Sequence, residues 1–248
     1  MEWQARPVGK RPVRPGEILS FDGATEYDGD FSNKKVRILG AEGSRFIRCK
    51  FENTEAKNAQ LGGGRIQSEY IECSFDGSKL PLFAGRARFE RCTFRNADLS
   101  GWMCFAVEVV DCVFSGTIRD SFFNGTVPPG DRDIGRIKNE FHGNDFTHAQ
   151  LIGVSFRTGI DLKAQLLPSG PEYLYLTDAP STIRHLRAVV EEWKDAEKRT
   201  FANARLNVFE NAVEGGQQQL LLRPADYPIR RPGHAELLEL LKTAASIR

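Results

Sequence analysis

The chain has 248 residues, with 34 Lys and Arg against 33 Asp and Glu, for a formal net charge of +1. Apolar content of 40% with 27% charged residues is that of an ordinary soluble globular protein. This length accommodates one large domain, or one domain with a smaller appendage, and the near-zero net charge excludes a bulk electrostatic case for a nucleic-acid or membrane partner.

The N-terminal stretch is locally basic and broken by Pro7, Pro12 and Pro15, which cannot donate to a ladder. Residues 1–35 are therefore expected to form a tail or cap. The opening residues lack the apolar run of a signal peptide, and no later segment reaches the length of a membrane span. The expected compartment is the cytoplasm, with no membrane partner.

From Val36 onward a six-residue phrase recurs: an aromatic or Val, two variable residues, a small residue, one variable residue, then Phe. Its copies end at Phe51, Phe75, Phe94, Phe114 and Phe146. Between them runs a five-residue beat, as in Phe89, Phe94, Leu99, Cys104, Val109 and Phe114. A period of five fits neither a helix nor a simple strand. It fits a coil with flat faces of about five residues, in which each centre and the residue two before it point inward. Four such faces make a square turn of about 20 residues, the signature of a solenoid. The spacing agrees: Cys73 to Cys92 is 19 residues and Cys92 to Cys112 is 20. Cys49 to Cys73 is 24 and Cys112 to Asn144 is 32, so a few residues loop out at the first interval and more at the second.

Four of the five cysteines, Cys49, Cys73, Cys92 and Cys112, occupy one inward place in the repeat. There they are expected to be free, small core residues. A cytosolic chain disfavours a disulfide ladder. The absence of CxxC, and of room for a closed tetrahedral shell, disfavours zinc.

Ala97-Asp98-Leu99-Ser100-Gly101 resembles the pentapeptide-repeat family, whose unit is a small residue, Asp or Asn, Leu or Phe, and two polar or small residues. Ala149-Gln150-Leu151-Ile152-Gly153, Asn144-Asp145-Phe146-Thr147-His148 and Cys92-Thr93-Phe94-Arg95-Asn96 match more loosely. The resemblance implies a mainly β fold, a right-handed four-sided parallel β-helix of about five to six coils over residues 36–165. Arg119 falls on the beat, and Leu61-Gly62-Gly63-Gly64 and Lys79-Leu80-Pro81-Leu82-Phe83 are irregular, so those coils are expected to be distorted. An insertion is expected at 122–138, with Pro128-Pro129-Gly130 holding it away from the rod. A long loop on a rigid scaffold is a place for function, which makes Asp131, Arg132, Asp133, Arg136 and Lys138 the candidate partner-binding residues.

Residues 178–248 change character. Pro180 follows the capping residue Asp178, and Ile183, Leu186, Val189, Val190 and Trp193 recur at helical spacing. Phe201, Leu206, Val208 and Phe209 continue the pattern, Gly215-Gly216 stops it, and a last amphipathic helix is expected over His234–Ala245. This helical appendage is expected to cover the open end of the coil or to mediate a homodimer. The four histidines read as coil-surface, helix-surface or cap residues.

Leu61-Gly62-Gly63-Gly64-Arg65 is not followed by the Lys-Ser/Thr of a phosphate loop, and no nucleophile-elbow, zinc-protease or calcium-loop pattern occurs. No cofactor, metal or catalytic residue is expected. The expected function is a non-enzymatic protein-binding module, of the kind used in bacterial immunity or antitoxin proteins. The family resemblance also implies a rival, a DNA mimic that binds a type II topoisomerase. Such a mimic needs surplus negative charge, whereas residues 36–165 hold 17 Lys and Arg against 16 Asp and Glu. A third reading is a carbohydrate-active β-helix enzyme, but Asp76, Asp98, Asp111 and Asp145 are dispersed along the chain.

Overall fold

A computed structural model describes residues 17–81, 85–227 and 231–246. The chain is a mainly β parallel solenoid of about five turns, followed by a short helical region. Three parallel sheets run along it. One holds seven strands, from Ile18–Asp22 to Asp145–Ile152; one holds six, from Thr25–Tyr27 to Phe141–His142; one holds three, Met103–Cys104, Phe122–Asn124 and Ser155–Arg157.

The registers place the beat in columns. Phe46, Tyr70, Phe89, Val109 and Phe141 lie in one. Phe51, Phe75, Phe94, Phe114 and Phe146 form a second, with ring centroids 4.9, 4.9, 4.9 and 4.6 Å apart and planes nearly parallel. That repeat is the distance between hydrogen-bonded strands. Val36, Ala56, Leu80, Leu99, Ile118 and Leu151 make a third column, and Cys104, Phe123 and Phe156 lie in a fourth. All of these are buried. Where Val109 interrupts the aromatic column, the wholly buried Trp102 stacks on Phe89 at 5.8 Å and reaches toward Phe123 of the next turn.

The cysteine column is as expected. All five cysteines are free and buried. Each ladder thiol donates to a carbonyl of the preceding turn, for example Cys92 Sγ to Tyr70 O at 3.2 Å. Burial pushes the thiols of Cys92 and Cys104 well above their ordinary range. Asn144 ends the column: its amide donates to Val109 O at 2.8 Å and accepts from Cys112 N at 3.0 Å.

Several boundaries differ from the sequence expectation. The solenoid begins at Ile18, not Val36, because Ile18–Asp22 and Thr25–Tyr27 pair in register with the next turn. Residues 1–16 of the expected tail lie outside the described residues. Phe122–Asn124 is a sheet strand, so the insertion begins after it. Arg119 is not an interior residue. The strand Val113–Arg119 is one residue short against its neighbour, and Ile118 takes the place opposite Leu99. Gly116, at φ +85°, closes this step, since a Cβ there would lie 2.4 Å from Ala97 O.

The helical region has its own core. Helices α1 (Ala179–Glu191), α2 (Ala196–Glu214) and α3 (His234–Ser246) bury Ile183, Leu186, Val190, Leu206, Phe209, Leu237 and Leu241 together. Asp178 and Asp195 cap α1 and α2 through their side chains. An antiparallel pair, Leu174–Leu176 with Leu220–Leu222, joins this core. The sequence pattern did not reveal it. Val208 is exposed, unlike the rest of its stripe, and His234 is buried rather than at the surface.

The seam with the solenoid is polar. The Gln217 carboxamide accepts from Gly159 N and Ile160 N at 3.2 and 3.0 Å and donates to Ile160 O at 2.8 Å. Gln219 accepts from Leu162 N, Asp226 from Gly153 N, and the Tyr173 hydroxyl from Leu151 N. Polar side chains thus satisfy backbone groups that have no further turn to pair with. Phe94→Ala, which empties the middle of the second column, is expected to cost about 3–5 kcal/mol in urea unfolding. Gln217→Ala removes the side-chain partner of Gly159 N, Ile160 N, Ile160 O and Gln219 O and is expected to cost at least about 1–3 kcal/mol. Hydrogen exchange in that variant should rise first at Gly159 and Ile160.

Candidate functional site

Where the beat is broken after Asn124, the chain makes an excursion over residues 125–140. Val127 N donates to Ile137 O at 3.0 Å and Asn139 N to Gly125 O at 2.9 Å, closing its base. A short 3-10 helix, Pro129–Ile134, forms the tip. The proline-bearing segment does not hold the excursion away from the rod. Val127 and Asn139 are buried, and the tip folds back onto the turns below.

The fastening is a polar cluster. Arg86, from the corner before strand Ala87–Glu90, donates to Asp131 Oδ1 and Asp133 Oδ2, each at 3.0 Å, and to Arg65 O at 2.7 Å. The Arg86 guanidinium holds the Asp133 carboxyl below its usual range. Arg136 donates to Gln67 Oε1 at 2.7 Å and Ala106 O at 3.0 Å, and lies 3.4 Å from Glu108. Glu108 is 6% exposed and is a costly group to bury alone. Arg88 at 3.3 Å, Gln67 at 2.9 Å and Arg136 satisfy it. Burial pulls the Arg136 guanidinium below its ordinary value. Asn139 donates to Phe105 O and Asn124 O at 2.9 and 2.8 Å.

The five sequence candidates therefore divide. Asp131, Asp133 and Arg136 turn toward the rod and fasten the excursion. Arg132 and Lys138 are exposed, and their side chains make no hydrogen bond or ion pair among the described residues. Sequence reasoning missed Ile137, which is 62% exposed between Arg136 and Lys138. The one available signal was an aliphatic residue off the beat, inside a charged insertion. It also missed Arg86, Arg88, Gln67 and Glu108, whose partners in this cluster lie 20–69 residues away along the chain. Nearby, Phe105 and Phe122 meet edge to face at 4.7 Å, Arg157 stands 4.3 Å over the Phe122 ring, and Met103 and Phe105 are partly exposed.

The rod surface has a different character, because like positions of successive turns are neighbours. Along one corner the residues are Asp28, Arg48, Glu72, Arg91 and Asp111, all with positive φ. Asp28 pairs with Arg48 at 2.7 Å and Glu72 with Arg91 at 3.1 Å. Along a second line run Lys35, Glu55, Lys79 and Asp98, in register. Glu55 lies 3.2 Å from Lys35 and 3.4 Å from Lys79, and Asp98 lies 3.4 Å from Arg119. The sign alternates from turn to turn.

Among the described residues, no group of three or more His, Cys, Asp or Glu is placed to hold a metal ion. No helix there is long and apolar enough to cross a membrane. No protein-family model and no curated protein matches the chain.

Arg86→Met is expected to release the tip of the excursion without unfolding the columns. Amide exchange at Asp131 and Gly135 should then rise severalfold, while Phe89 and Phe94 stay protected. The Arg86–Asp133 contact is present above the ordinary carboxylate range and is lost as pH falls through the lowered folded pKa of Asp133. Acidification should therefore reproduce the exchange pattern of the variant.

Proposed function

We propose that the chain is a pentapeptide-repeat protein acting as a non-enzymatic protein-binding module, with the fastened excursion as its partner surface. The carrying observation is a contrast on one surface. On the lines through Glu55 and Arg48 charges pair turn to turn, whereas Arg132 and Lys138 stand unpaired on either side of an exposed Ile137, on a segment fastened from beneath by Arg86 and Arg136. A rigid mount lowers the ordering cost of binding. An exposed apolar side chain within a charged rim suits a protein partner. An immunity or antitoxin role is consistent with such a part.

No observation favours the topoisomerase reading. A DNA mimic presents like charges on successive rungs, and these lines alternate. Homodimerisation through the helices lacks support for a similar reason: the apolar stripes that would form the seam are buried in the helices' own core.

The test compares proteins retained from cell extract by the immobilised chain and by an R132E/I137S/K138E variant. The expected result is one protein held by the former and lost from the latter, which then forms a stoichiometric complex when purified. Identical retention by both would overturn the reading. A change in supercoiling by a purified type II topoisomerase would favour the rival.

A further inference from the structure

Resting on that reading of the excursion, we propose that the partner segment it takes is an acidic peptide stretch carrying an apolar side chain. Arg132, Gly135, Arg136, Ile137 and Lys138 line a shallow concavity of about 440 Å³ on the outer side of the excursion. That space admits a few side chains, not a folded surface. Its chemistry is one-sided. The neighbouring carboxylates of Asp131 and Asp133 are turned away and neutralised by Arg86, and Glu140 pairs with Arg88 at 2.8 Å. The mouth is left with the uncompensated charges of Arg132 and Lys138. Arg136, also in the lining, has its guanidinium held beneath the excursion by Gln67, Ala106 O and Glu108.

Each part of this surface is insufficient alone. Exposed ion pairs contribute little individually, and one aliphatic side chain gives no direction. Together they specify an order: carboxylates at the two rims and an aliphatic or aromatic residue between them, over Ile137. The rim charges would govern the association rate and its salt dependence, and the apolar contact the residence time. A basic partner would meet like charge, and a polar acidic one would leave Ile137 in water.

The experiment uses the full chain and three fluorescein-labelled peptides, built from three repeats of Gly-Glu-Leu-Glu, Gly-Lys-Leu-Lys or Gly-Glu-Ser-Glu, with binding read by anisotropy. The first peptide is expected to bind saturably and to weaken at least about tenfold between low and high salt. R132E/K138E should abolish that binding, and Ile137→Ser should weaken it severalfold. The other two peptides should not bind. The proposal is overturned if the first peptide does not saturate, if the lysine or serine peptide binds equally, or if R132E/K138E binds as the parent does. Because these residues are exposed, circular dichroism of the variants should match the parent. Loss of peptide binding with partner capture still dependent on the excursion would sink this inference alone. Capture independent of the excursion would sink the site itself.

Discussion

The spacing between neighbouring turns is the constraint from which the rest follows. Parallel strands hydrogen-bond at about 4.8 Å, and stacked aromatic rings of one column repeat at nearly the same distance. The rings of Phe51, Phe75, Phe94 and Phe114 keep 4.9 Å while the backbone keeps its ladder. Neither arrangement strains the other, so one residue type can serve the same place in turn after turn. The small residue two before each ring completes the fit. Cys49, Cys73, Cys92 and Cys112 leave room beside the phenylalanines and spend their thiols on carbonyls of the turn before.

The same geometry governs the outside. A residue on a face has, as nearest neighbours, the residues at the same position one turn up and one turn down. Like charges there would repel along the whole rod, so the lines through Glu55 and through Arg48 alternate in sign. Each pair contributes little to stability. Along these two lines, therefore, no run of one sign forms.

The places where the repeat fails carry a cost that the structure meets with polar groups. The excursion after Asn124 removes backbone from the ladder, and Glu108, Arg88, Arg136 and Asn139 form a network under it in which each polar group finds a partner. At the end of the rod the last turn has no successor, and Gln217, Gln219 and Tyr173 supply the missing donors and acceptors from the helical region. The helices bury their apolar stripes against one another, so their union with the solenoid is through hydrogen bonds and a modest apolar contact by Tyr173, Tyr175 and Leu221.

Sequence alone determined the columns, because a period of five with small residues at fixed offsets has one geometric solution in which every Phe on the beat is interior. It also determined the helical character of residues 178–248 and the last helix, whose stripes are local, but not the Asp195 cap that separates α2 from α1. It did not determine where the solenoid starts: Leu19, Phe21 and Phe31 are sparse, and the register that enrols them depends on the neighbouring turn. The one-residue step at Gly116 was hidden for the same reason, since a strand's register is visible only against its partner. For the excursion the sequence named the right segment and five charged residues, but not their division. Asp131 and Asp133 face inward only because Arg86 lies beneath them, and nothing local to the segment encodes that neighbour. Periodic contacts are written in the chain; contacts between positions 45 to 69 residues apart, such as Arg86 with Asp131 and Arg136 with Gln67, exist only once the turns have stacked.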